Sequence, residues 1–165
     1  MASAFRLIED TVLGSPAASI TFNTSLAGYT KFRLTLYVIG GAASNIRGWL
    51  RLNGDSGANY AYQYIAAGDT VVASARSTGQ AQIVIAGPSE ISPATAATIT
   101  VEVQKPTSTV PARISAGASY YPGAISMTIT EGEWNNTADL ISSISILTSV
   151  GDFAAGTRAV IEGAA

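Results

Sequence analysis

Lys31 to Val38 reads KFRLTLYV. Phe32, Leu34, Leu36 and Val38 fall on one side of an extended chain; Lys31, Arg33, Thr35 and Tyr37 fall on the other. That period of two is the mark of a strand in a sheet with one buried face. A helix would scatter the same residues around its circumference. The pattern recurs on either side. Ser19 to Thr24 places Ile20 and Phe22 together. Arg47 to Asn53 puts Leu50 and Leu52 on one face, with Trp49 and Arg51 on the other. YAYQY brings Tyr60, Tyr62 and Tyr64 onto one face. TITVEVQ directs Ile99, Val101 and Val103 inward, and Ala124 to Thr130 is expected to do the same with Ile125, Met127 and Ile129. Further strands are predicted over Gln82 to Ala86, Ser143 to Thr148 and Thr157 to Gly163, with another opening at Val71 and Val72.

Eight to ten short strands separated by Gly, Pro, Asn, Asp and Ser predict an all-β protein, an antiparallel β-sandwich of jelly-roll-like type. A single helical turn near residues 91 to 97 is the one competing element. The long connections are expected at Ile39 to Ile46, Ala66 to Gly79, Ala86 to Ala97 and Lys105 to Tyr121. Pro106, Pro111 and Pro122 interrupt the last. The 165 residues read as one β-sandwich domain over 17–165, preceded by a short N-terminal arm or edge segment over 1–16.

Charged residues make up only 12% of the chain, and 9 Lys and Arg face 11 Asp and Glu, a net charge of -2. That balance argues against nucleic-acid binding, which needs concentrated positive charge. There is no His and no Cys. Histidine bases, thiol nucleophiles, disulfides and thiolate-bound metals are therefore excluded. No apolar run approaches the length of a membrane-spanning helix. Glu9 and Asp10 sit where a signal peptide would carry its apolar run.

The densest polar motif is NGDSGANY, Asn53 to Tyr60. Gly54 and Gly57 can take positive φ, and Asn53, Asp55 and Ser56 can bond the nearby backbone, which reads as a structural turn. A calcium site on Asp55, Asn53 and Asn59 is the alternative, but one carboxylate is few and the EF-hand spacing is missing. No metal or cofactor is therefore expected. Tyr60, Tyr62 and Tyr64, with Trp49, Trp134 and Tyr37, are candidates for an aromatic interface to a protein or a glycan; burial within the chain is the alternative. Glu131 and Glu133 flank Gly132 beside Trp134, but read as a solvated strand end rather than an acid pair. Without His to activate Ser or Thr, and with no phosphate loop, no enzyme is expected. Near the end, Gly151 and Gly156 bracket Phe153, which predicts a loop plugged by one aromatic ring.

Several segments carry a resemblance. Phe5 to Ile8 is followed by TVLGSPAASITF, Thr11 to Phe22. Tyr29 and Thr30 precede KFRLTLYV, and LRLNGDSGANY spans Leu50 to Tyr60. Trp134, Asn136 and Thr137 precede Ile141 to Ile146, and the chain closes through Gly151 to Thr157. On these residues, spread over nearly its whole length, the chain resembles a family of small bacteriophage virion structural proteins of the tail or decoration type. It departs at Asp152, where relatives carry Asn, and in its ending IEGAA, where relatives finish close to LYGI. The resemblance implies a non-enzymatic virion protein that decorates or cements the capsid surface. The partners it implies are the major capsid protein and copies of itself, a trimer favoured. Alternatives are a tail or fibre-tip module binding a host glycan, and a tail or connector component. A tip module needs an attachment device, and Met1 to Pro16 is the only arm in view.

Overall fold

The computed structural model describes residues 4–24, 26–42, 46–68, 71–91, 96–120 and 126–165, excepting the side chains of 88–90. Twelve strands form: β1 Arg6–Val12, β2 Ser19–Phe22, β3 Lys31–Ile39, β4 Ile46–Leu52, β5 Tyr60–Gly68, β6 Val71–Gln80, β7 Ile83–Ile91, β8 Ala96–Gln104, β9 Ala112–Tyr120, β10 Ser126–Trp134, β11 Ile144–Thr148 and β12 Arg158–Ala164. No helix occurs among the described residues. The helical turn weighed near 91–97 falls largely on residues 92–95, outside those described.

An eight-stranded sheet runs β1-β12-β3-β8-β9-β10-β5-β6, and a four-stranded sheet runs β2-β11-β4-β7. All pairings are antiparallel. The protein is an all-β sandwich, as the alternation predicts, with twelve strands rather than eight to ten. The predicted inward residues of β3, β4 and β8 do form the core: Phe32, Leu34, Leu36, Val38, Leu50, Leu52, Ile99, Val101 and Val103 are buried, with Ile20 and Phe22 facing them from β2. Full burial of such a side chain stabilises by about 1.5–3 kcal/mol before entropy is charged against it.

Four expectations are corrected. Three of the connections hold strand. Among the described residues, Ala66 to Gly79 is the end of β5 and most of β6, Ala86 to Ala97 holds the end of β7 and the start of β8, and Lys105 to Tyr121 contains β9. In β9 the buried positions are Ala112, Ile114, Ala116, Ala118 and Tyr120. Alanine carries too little apolar contrast to announce the alternation, and Pro106 and Pro111 lie outside the strand. Fourth, β10 is inverted. Thr128 and Thr130 are fully buried, while Met127 is 41% and Ile129 50% exposed. Ile125 lies outside the described residues. The cause is at the other end of the strand. Trp134 pairs with Tyr60 across β10 and β5, and both rings are buried. A period of two counted back from Trp134 takes Gly132, Thr130 and Thr128 inward whatever their polarity.

The N-terminal segment is an edge strand rather than a free arm. β1 pairs with β12, with a register shift between Leu7 and Glu9. Asp10 accepts from the Arg158 guanidinium at 2.9 Å. At the far end of the chain Phe153 is fully buried and bridges both Ala17 and Gly40. Gly151 and Gly156 take φ of 64° and 86° around it. The predicted aromatic plug is therefore present, and it ties the entry of β2 to the exit of β3.

Candidate functional site

The NGDSGANY turn leaves β4 at Leu52 and enters β5 at Tyr60. Asn53 and Gly54 adopt φ of 54° and 65°, the left-handed region that Gly and Asn tolerate. Gly57 does not, contrary to expectation. A Cβ there would lie 3.1 Å from Asp55 Oδ1 and from Asn59 Nδ2, so its role is close approach to the carboxylate. Asn53 stitches the turn to a distant loop. Its Nδ2 donates to Leu140 O at 2.7 Å, and its Oδ1 accepts from the backbone N–H groups of Ser142 and Ser143 at 2.8 and 3.1 Å.

Asp55 is the centre of a second network. Its Oδ1 accepts from Gly57 N at 2.8 Å; its Oδ2 accepts from Asn59 Nδ2 at 2.8 Å and from Trp134 Nε1 at 2.7 Å. Desolvation works to raise its pKa, but the hydrogen bonds from Trp134, Asn59 and Gly57, helped by Arg51, outweigh it and hold the carboxyl below its usual range. Both oxygens face N–H donors, so the cation ligand set considered from the sequence is committed to the fold. No group of three or more Asp or Glu converges among the described residues.

The Trp134 ring stacks on Tyr60 at 6.5 Å between centroids. Tyr60 accepts from Leu52 N at 2.9 Å and donates to Leu52 O at 3.2 Å. Burial pushes its pKa up to about 12, so it stays a neutral two-way partner. On the other side Lys105 places Nζ 5.4 Å from the Trp134 ring centroid. That ammonium donates to the carbonyls of Val110 and Asn136, each at 2.6 Å. Burial lowers its pKa while Asp139 opposes the shift. Lys105 is 1% exposed, and sequence reading missed it; a Lys between strand and Pro gives no signal that it folds inward.

The proposed aromatic interface therefore divides. Tyr60 and Trp134 are core residues, 1% and 0% exposed, and cannot touch a partner. Tyr62 and Tyr64 stack on each other at 6.3 Å on the same face as Tyr60, half-buried at its rim where the smaller sheet ends. Trp49 is half-buried in β4, on the opposite face from Leu50, beside Leu147 of β11. The structure brings Tyr62 and Tyr64 together and leaves Trp49 on the other sheet. Tyr37 is 52% exposed on the outer face of the large sheet.

Glu131 and Glu133 lie on that same outer face. Glu131 accepts from Ser115 Oγ at 2.6 Å, and Glu133 pairs with Arg113 at 2.9 Å. With Gln63 and Arg76 they line a shallow groove of about 320 Å³. A second groove of about 330 Å³ lies between Asn23 with Leu26–Tyr29 on one side and Leu140–Ser142 on the other.

The feature that sequence reading missed is a patch on the outer face of β10, β5 and β6. Ile129 pairs with Ile65; Met127 pairs with Ala67, which pairs with Val72. Ile65 is 52% and Val72 71% exposed. Paired residues share a face, so Met127, Ile129, Ile65 and Val72 form one apolar surface. The signal was the spacing from Trp134, which sets which side of β10 is out.

No protein-family model matches the chain, and no curated protein matches it. Among solved structures, a peanut lectin with a nine-residue peptide is similar over 99% of this chain and 92% of its own, at 9% identity and a TM-score of 0.33. A protein of unknown function from Shewanella oneidensis MR-1 is similar over 99% and 77%, at 9% identity and 0.24. At these scores neither likeness bears on what this chain does.

Proposed function

We propose that the chain is a non-enzymatic bacteriophage virion structural protein that decorates or cements the capsid surface. The observation that carries the reading is the resemblance centred on LRLNGDSGANY and the Trp134 loop. Two features of the molecule support it. The residues that carry the resemblance are the ones that tie the sandwich together: Asn53, Asp55, Tyr60, Trp134 and Phe153. On the outer face Arg33 pairs with Glu102, Arg113 with Glu133 and Arg158 with Asp10, while apolar side chains stand exposed in a group, as a protein made for contact with other proteins requires. Its partners are the major capsid protein and further copies of itself.

Binding to the assembled lattice alone stabilises the shell by linkage. Mixing purified protein with expanded, undecorated capsids tests this. Saturable binding with a raised capsid melting temperature is the expected result. Failure to bind, with retention on host cells or envelope polysaccharide instead, favours the tip reading, for which the Tyr62–Tyr64 stack is the glycan platform.

A further inference from the structure

The sandwich has four edge strands, and three of them are protected against pairing with another chain. β1 carries Arg6, Glu9 and Asp10 in seven residues and breaks register between Leu7 and Glu9. β2 is only four residues long. β7 contains Pro88 and pairs irregularly with β4 at Ile46, Gly48 and Trp49. β6 is the least protected of the four. It is ten residues long and carries Arg76 as its one charge; its register shift against β5 is confined to one end, between Tyr60 and Tyr62, and the pairing is unbroken from Tyr62 to Gly68. Only Ala75, Ser77 and Gln80 are even half-buried.

Both faces of β6 are ready for company. Its outward side presents Val72 and Ser74, continuous with Ile65, Ile129 and Met127. Its inward side presents Val71, Ala73, Ala75 and Ser77, small residues beside Tyr64. Val71 and Val72 are the two most exposed large apolar residues described, at 67% and 71%.

We propose that β6 pairs antiparallel with β6 of a second copy across a twofold axis, joining two large sheets into one. The occupant is a second copy because the surface complements itself. An antiparallel edge pair is isologous: each row of free N–H and C=O groups meets its own image. One arginine per ten residues opposes that approach little, and Arg76 shares its cross-strand row with Gln63 and Glu131 of its own sheet. A ten-residue edge is roughly 34 Å long and about 15 Å deep with its side chains, so each copy covers about 500 Å². That is near the lower bound of about 1,000 Å² in total for a specific interface. The pair is thus weak in solution and firm where a particle holds the copies side by side. This contact belongs to the chain itself and stands apart from the virion reading. It also generates a twofold, not the threefold that the resemblance implies.

Sedimentation velocity of the full chain from about 1 to about 300 µM, where an interface of this size associates, is the test. A monomer–dimer equilibrium is expected, and the Val72→Lys/Ser74→Lys double variant should weaken it at least about tenfold by charge repulsion at the edge. The chain has no cysteine, so Ala75→Cys, at the centre of the ten-residue overlap where a residue faces its own copy, gives a clean second readout that does not depend on a charged variant folding. It should cross-link into disulfide dimers, while Val12→Cys on β1 should not. A monomer at every concentration with no Ala75→Cys cross-link overturns the proposal. So does a trimer indifferent to both β6 changes, or a β6 edge protected from hydrogen exchange only on assembled particles, which would assign it to a different virion chain.

Discussion

Replacing Asp55 by Ala tests whether this turn is a keystone of the sandwich or only a link between β4 and β5. The substitution removes three hydrogen bonds at once. The costliest is the one from Trp134 Nε1, because the indole is fully buried and an orphaned buried donor costs about 1–3 kcal/mol. Gly57 and Asn59 are exposed, so water replaces their acceptor and each loss is about 0.5 kcal/mol. The expected total is about 2–4 kcal/mol. With an m-value of about 2 kcal/mol/M in urea, the unfolding midpoint falls by about 1–2 M. Tryptophan fluorescence reports it, since Trp134 passes from core to water. Asp152→Ala, at an exposed position, is the control and should stay within about 0.5 kcal/mol. The effect has a pH signature. Asp55 is held below the 3.8 of an unfolded aspartate. Its contribution is complete above pH 3.8 and is lost as the pH falls through the lower folded value, so wild type and variant converge in acid. A variant that melts with the Asp152→Ala control, or a gap that does not change below pH 3.8, refutes the reasoning.

Three further changes probe other parts of the frame. Phe153→Ala empties the plug between Ala17 and Gly40 and should cost about 3–5 kcal/mol on denaturant unfolding. Lys105→Met strands the carbonyls of Val110 and Asn136 and should cost about 2–4 kcal/mol; amide exchange should rise first in residues 105–111 and 135–139. Thr130→Val should do the opposite. Thr130 Oγ1 is buried and has no hydrogen-bond partner among the described residues. Removing the hydroxyl should raise stability by about 1 kcal/mol in the same urea titration.

The strands that carry strong alternation were legible because large apolar side chains at every second position have few other places to go. β3, β4 and β8 are of this kind, and each buries the residues its pattern nominates. β9 was not legible, since Ala, Ser and Gly hide the alternation. β10 was misread because its own pattern points the wrong way: the pairing of Trp134 with Tyr60 fixes the strand's rotation, and Met127 and Ile129 follow it outward. The NGDSGANY turn was legible as a turn from its Gly and Asn content. That Asp55 reaches Trp134, 79 positions away, is a tertiary fact with no local trace. The aromatic interface was over-read for the same reason. Tyr60, Tyr62 and Tyr64 do share a face, but sequence spacing does not show where the second sheet stops covering it. The apolar patch and the bare β6 edge became visible only once the four edges could be compared.

Cryo-electron microscopy of intact virions carrying this chain tests the central claim most directly, by copy number and position. The account predicts hundreds of copies over the shell, in contact with the major capsid protein. A few copies confined to the tail or its tip, or none on the particle, would contradict it.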